Sequence, residues 1–286
     1  MYKIAILGCE NSHAKNFLNV IKEKERFSDV EVIGVFSEDM EAANKLKDEF
    51  GVNVAKSYDE FVGKVDGVVI TARHGDNHYK YAKPYIASGI PMFIDKPITI
   101  TEEEAEEFKA ELIKHNIKVT GGSTLKHPDV IKEFKEAVAE KTYGEVYGGI
   151  LRAPIDLESS YGNFYFYSQH LVQMASEIFG YYPNSVIAFK NGKVLNCTLR
   201  YDEYDVNLEF VDLNYKYFAA ISCENDYILK PLSPANCSEN EFAEYYTILT
   251  GGEMVQSYDE FFAPVYVMNA IARSLASGKE ETIKRG

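Results

Sequence analysis

Met92-Phe93-Ile94-Asp95-Lys96-Pro97 is the stretch on which the reading of this chain turns. Three apolar residues run directly into an acid, a lysine and a proline. Proline cannot donate to a β ladder and sits where a strand stops. The stretch therefore reads as a buried strand with Asp95 and Lys96 at its carboxyl end. In an open parallel sheet that rim is where ligands bind. The reading requires the preceding chain to build such a sheet.

Lys3-Ile4-Ala5-Ile6-Leu7-Gly8 is a short apolar strand ending in glycine. Asn11 and Ser12 are N-cap residues for a helix over 14–23. A strand over 30–36 follows, then a helix over 40–50 stopped by Gly51. Segments 53–55 and 58–62 read as a short strand and a turn or two of helix. A strand over 67–71, a helix over 77–88, the Met92 strand, an acidic helix over 101–116 and a strand over 117–120 complete the series. Strands alternating with helices predict βαβ units, hence a doubly wound parallel sheet of Rossmann type with helices on both faces.

Gly121-Gly122-Ser123 reads as a crossover, dividing the chain into a domain over 1–122 and an α/β domain over 123–286. The second half begins with a helix over 129–140 and a strand over 146–152. Segment 157–167 reads as a long aromatic loop, whose Tyr161, Tyr165 and Tyr167 would either stack on a sugar ring or fill the domain seam. A helix over 169–179 carries His170 in its first turn. Segment 185–229 reads as an antiparallel meander, with a hairpin signal at Asn191-Gly192. A last helix covers 261–275. The expected class is α/β: a parallel doubly wound sheet plus a second domain with a large, mainly antiparallel sheet.

At 286 residues the chain can bury two cores. Its net charge of -14 lacks the basic footprint of nucleic-acid binding and suits anionic membrane surfaces poorly. No apolar run approaches the roughly 18 residues of a membrane span, and no charged leader opens the sequence. The four cysteines show no C-x-x-C spacing, so they are expected reduced and the protein cytoplasmic. His74 and His78 are spaced for a metal, but no third ligand is indicated and none is expected.

A dinucleotide fingerprint, G-x-G-x-x-G, belongs between the first strand and helix. Here the stretch is Gly8-Cys9-Glu10-Asn11-Ser12-His13-Ala14, and only the first glycine stands. Glu10 fills the slot of close backbone approach, where a carboxylate pointing inward repels phosphate. The helix terminus still offers amides and positive potential, and Asn11 and Ser12 add side-chain hydrogen bonds. Taken alone, the stretch fits either a cofactor site or a plain strand-turn-helix. NAD binding places an acid at the end of strand two. That end reads Phe36-Ser37-Glu38-Asp39. Ser37 leaves room for a 2′-phosphate whereas Glu38 and Asp39 repel one, so NAD and NADP both stay open.

Several of these features resemble the Gfo/Idh/MocA family of oxidoreductases. Asp95-Lys96-Pro97 is similar to that family's strand ending in E-K-P. Thr71-Ala72-Arg73 followed by His78 resembles its T/N-P-x-x-x-x-H loop, without the proline. Tyr143-Gly144-Glu145-Val146 resembles the G-E-V/I lead into its second sheet, and segment 258–278 its final helix. His170, in Ser168-Gln169-His170-Leu171, aligns with the histidine of D-x-G-x-H-x-x-D. The departures are Phe166 for the first acid, Ser168 for the glycine and Gln173 for the last acid.

The resemblance implies an NAD(P)-dependent dehydrogenase acting on a secondary alcohol or ketone of a sugar, polyol or cyclitol. It also implies a homo-oligomer, dimer or tetramer. Lys96 and His170 would flank the carbinol, the histidine as acid/base and the lysine holding the oxygen. Gly8, Glu10, Asn11, Ser12 and His13 would receive the pyrophosphate, and Ser37 would stand at the ribose. Thr71, Arg73 and His78 would line the cofactor loop, with Asp95 and Lys96 at its edge. A regulatory protein that senses a nucleotide or metabolite without turnover, and an assembly subunit with no nucleotide, are the rivals.

Overall fold

The structure, a computed structural model, describes residues 1–235 and 237–285. In chain order the elements of the first half are β1 (Tyr2–Leu7), α1 (Ser12–Glu23), β2 (Val30–Phe36), α2 (Met40–Phe50), β3 (Gly67–Ile70), α3 (Asp76–Ile86), β4 (Met92–Asp95), α4 (Glu102–Lys114) and β5 (Val119–Gly122). Then come α5 (Asp129–Ala139), β6 (Val146–Ile155), α6 (Phe164–Phe179), β7 (Ser185–Asn191), β8 (Val194–Arg200), β9 (Asp205–Asp212), β10 (Tyr217–Cys223) and β11 (Tyr227–Leu232). The chain closes with α7 (Cys237–Leu249), α8 (Tyr258–Ser277) and β12 (Glu281–Thr282). Among the described residues, no helix is long and apolar enough to cross a membrane.

Two compact units result. The first comprises Met1–Thr99, Glu103–Gly122 and Ser238–Tyr258. The second comprises Ile100–Glu102, Ser123–Cys237 and Asp259–Gly286. A stretch that the sequence division assigns to the second domain thus completes the first unit.

The first unit is built on a parallel sheet of order β2-β1-β3-β4-β5. The chain leaves β1 toward β2 and returns to β3 on the opposite side, so the topological switch point lies between β1 and β3, where α/β sheets bind ligands. The short strand expected at 53–55 is a single parallel bridge, Val35 to Val54. β5 starts later than its sequence suggests and absorbs Gly121 and Gly122, the residues read as a crossover. Its φ of +129° and contact with β4 explain why Gly121 is glycine: a Cβ there would lie 2.0 Å from the Ile94 carbonyl oxygen.

One face of this sheet packs an aromatic core. The Phe17 ring meets Phe93 edge-on at 5.0 Å, and Phe27 meets Phe242 edge-on at 4.9 Å. Phe242, Tyr245, Ile248 and Leu249 all come from α7 and are buried in the cluster. Their i, i+3, i+6, i+7 spacing is that of one helical face.

The second unit is built on a seven-stranded sheet of order β11-β10-β6-β9-β8-β7-β12. It is mainly antiparallel, but it is not the meander expected over 185–229. β6 inserts between β10 and β9, antiparallel to the first and parallel to the second. Local turn signals cannot report such an insertion. β7 and β8 do form the expected tight hairpin, with Asn191 opposite Val194. α6 lies against β6 and β9. It begins at Phe164, so the end of the expected aromatic loop is helical and His170 stands in the second turn, not the first.

Candidate active site

In the first unit the site is assembled from strand ends. β1 ends at Gly8, whose φ is +95° and whose missing Cβ would lie 2.3 Å from the Ala72 amide nitrogen. Thr71, just past β3, donates its hydroxyl to the Gly8 carbonyl at 2.5 Å. Asn11 caps α1 by accepting from the His13 amide at 2.9 Å. Its side-chain amide donates to the Thr71 carbonyl at 2.9 Å and to Asp95 at 3.4 Å. One short polar residue therefore ties together the ends of β1, β3 and β4.

Asp95 is fully buried. One carboxylate oxygen accepts the Lys96 amide at 2.7 Å, and the other stands 2.9 Å from His13 Nδ1. Burial pushes the Asp95 carboxyl up, but the charge and hydrogen bond of His13, with the charge of Lys96, outweigh it and hold it below its ordinary value. Burial pulls the His13 imidazole down, but Asp95, reinforced by Glu241, lifts it above its ordinary value. Each therefore favours the charged form of the other. Lys96 is buried too, and burial brings its ammonium down to about 8 despite Asp95. The Lys96-Pro97 peptide is cis.

His78, in the first turn of α3, is fully buried. Its ring nitrogens stand 2.6 Å from the Pro97 carbonyl and 2.8 Å from the Ala72 carbonyl. It clasps the loops after β3 and β4 to each other. Arg73 gives its backbone amide to Glu10 at 2.9 Å. Ser37 is buried and donates to the same carboxylate at 2.7 Å. Ser12, first in α1, is exposed.

Glu10 is folded back onto its own turn. The side chain accepts from the Cys9 amide as well as from Ser37 and Arg73. No acidic residue stands in the first turn of α1. That helix terminus keeps its positive potential, and Asn11 takes only one of its unpaired amides. A cleft of about 700 Å³ opens beside it, lined by residues of the first turn and of α2. These donors fit a dinucleotide: amides and small polar side chains for a diphosphate, and a fixed carboxylate beside them.

In the second unit His170 is buried in α6. Its Nδ1 stands 2.6 Å from the Ser123 hydroxyl, and the Ser123 amide donates to Gln173 at 2.9 Å. Gln169 also donates to Gln173, at 3.3 Å. A hydroxyl thus holds the ring nitrogen, and the Gln173 side chain holds the backbone of that serine. Phe166 is buried against Tyr161 and Tyr167, at centroid separations of 5.4 and 4.8 Å. Tyr165 reaches Asn269 at 3.2 Å.

Sequence reasoning passed over Ser123 and Glu241. Ser123 was read as linker; its signal would have been a hydroxyl directly after a strand end. Glu241 is 1% exposed in α7 and acts electrostatically on both His13 and Lys96. Its signal was an acid on the apolar face of a helix.

A parallel sheet with a glycine turn at its switch point and a charged cluster at its carboxyl rim defines a dinucleotide-binding α/β protein. Residues 2–123 match the model of the GFO_IDH_MocA family, described as an oxidoreductase family with an NAD-binding Rossmann fold. The cofactor class expected from the sequence, NAD or NADP, is the class of that family. No curated protein matches the chain. Among solved structures, the myo-inositol dehydrogenase from Corynebacterium glutamicum ATCC 13032 is similar, with a TM-score of 0.84, 16% identity and 100% of each chain covered. The myo-inositol 2-dehydrogenase from Lactobacillus plantarum gives 0.86 at 13% identity, covering 99% of each chain. GenD2 from gentamicin A biosynthesis, solved in complex with NAD, gives 0.85 at 13% identity, covering 99% of this chain and 96% of its own. Identities this low carry the fold alone.

Proposed function

We propose that this chain is an NAD(P)-dependent oxidoreductase acting on a secondary alcohol or ketone of a sugar, polyol or cyclitol. The observation that carries this reading is Lys96: a buried ammonium at the carboxyl end of β4, one residue from the His13–Asp95 pair. When bound, the nicotinamide cofactor gives or takes the hydride. The amino end of α1, with Asn11 and Ser12, holds its diphosphate. The Lys96 cation holds the reacting oxygen and offsets the negative charge that grows on it. His170 is the acid/base group, and Ser123 fixes its ring through Nδ1. Inositol dehydrogenases among the similarly folded structures support the polyol class.

Phe166 favours a second reading. With phenylalanine in place of an acid, His170 lacks a charged partner at that position, which suits a sensor that binds a nucleotide without turnover. Titration of NADH and NADPH by fluorescence, followed by assays on inositols and sugar alcohols, separates the two. For the enzyme, Lys96→Ala and His170→Ala each lower turnover by about 10² to 10⁴-fold with cofactor affinity retained. Binding without turnover on the whole panel selects the sensor, and no binding at all overturns both.

We also infer self-association through the second sheet. Ile150, Ala220 and Leu229 stand side by side across β6, β10 and β11. Ile150 and Leu229 are 49% and 59% exposed, and Tyr227 nearby is 73% exposed. An apolar row of this kind on a sheet face marks an interaction surface.

A further inference from the structure

Dinucleotide folds that bind NAD place an acid at the end of the second strand, where it meets the ribose hydroxyls. This chain has Ser37 there. The two acids that follow are engaged elsewhere. Asp39 caps α2, accepting from the Ala42 amide at 3.0 Å. Glu38 pairs with Lys80 at 3.0 Å. The carboxylate that does arrive belongs to Glu10, 27 residues earlier in the chain.

Its position is fixed by three donors from three strand ends. Oε2 accepts the Ser37 hydroxyl at 2.7 Å and the Cys9 amide at 2.8 Å; Oε1 accepts the Arg73 amide at 2.9 Å. Asn11 holds the same turn from the other side through the Thr71 carbonyl. A carboxylate has about four acceptor positions, so one is left for a further hydroxyl. The lysines lining the adjoining cleft are already paired, Lys15 with Glu49 and Lys45 with Glu41, each at 2.8 Å.

We propose that Glu10 makes this chain select NAD over NADP, supplying from the first turn the acid that the end of β2 lacks. The residue that breaks the glycine fingerprint then has a task of its own. A ribose 2′-hydroxyl donates to the carboxylate, whereas a 2′-phosphate brings only negative charge to it. The inference rests on the proposed reading that the chain binds a nicotinamide dinucleotide.

Dissociation constants for NADH and NADPH, measured by calorimetry on the intact chain, test it. The unaltered protein binds NADH at least 100-fold more tightly than NADPH. Glu10→Gln brings the ratio within tenfold, chiefly by tightening NADPH, while Glu38→Gln leaves it unchanged. Circular dichroism melts confirm that each variant folds. Should Glu10→Gln not fold, the double variant Glu10→Ala/Ser37→Asp serves instead, moving the acid to β2 and keeping the NADH preference. Equal affinities in the unaltered protein, or an unchanged ratio in Glu10→Gln, overturn the assignment to Glu10 while the dinucleotide reading stands. Binding of neither nucleotide overturns both.

Discussion

The residue whose chemistry responds most directly to pH is Lys96. Its folded value of about 8 lies below that of a free lysine. The unfolded chain therefore binds the extra proton between about 8 and 10.5, and stability rises with pH across that window. The contribution is fully present above the unfolded value and is lost as pH falls through the folded one. Function has the opposite sign. If the cation holds the reacting oxygen, the activity that depends on it falls as pH rises through about 8. Lys96→Arg keeps its charge throughout and removes that alkaline fall, at a rate roughly 100-fold lower because the fork misplaces the charge. Asp95→Asn withdraws the counter-charge, so the fall moves to lower pH. The same change removes the nearest anion from His13 and Lys96 and costs about 3 to 5 kcal/mol. Rate profiles and denaturant melts against pH check both. Asp95 and Lys96 were readable as standing at a strand end because a proline marks where that strand stops. The roles of Glu241 and Ser123 were not readable, because nothing in sequence links them to Lys96 and His170, 145 and 47 positions away.

Among the elements, α7 carries a clear consequence for stability. Its Phe242 ring contacts Phe17, Phe27 and Tyr245 in the core of the first unit. Phe242→Ala removes a fully buried ring and costs about 3 to 5 kcal/mol, read as a fall in thermal midpoint. An unchanged midpoint would mean that α7 is only loosely applied. The contrast between β2 and β5 shows what a linear reading can locate. β2 and α2 lie where periodicity and Gly51 put them, because alternation and a left-handed C-cap are local properties. β5 starts late because Gly121 fits only against Ile94, a tertiary fact. The start of α6 was hidden for a similar reason. Aromatic residues that look like a loop become helical once Phe166 has a core to enter.

For the whole molecule, the exposed row on the second sheet makes a prediction about mass. Ile150→Lys with Leu229→Lys places two charges on that face, one on either side of Ala220, and yields a monomer by light scattering, whereas the unaltered chain is a dimer or larger. A monomer before substitution, or an unchanged mass after it, refutes self-association there. The class of this sheet was legible from alternating residues and turn signals. Its strand order was not, because β6 joins β9 and β10 from more than 50 positions away.

The C-terminal contribution to the first core also bears on how the protein comes into being. A ribosome delivers residues in order, yet the aromatic cluster around Phe17 and Phe27 is not complete until Leu249 has been made. Until then Phe17 has Phe93 but not Phe242, and Phe27 lacks Phe242 as well. A nascent chain arrested before α7 should therefore be more protease-sensitive around Phe27 than one that includes α7.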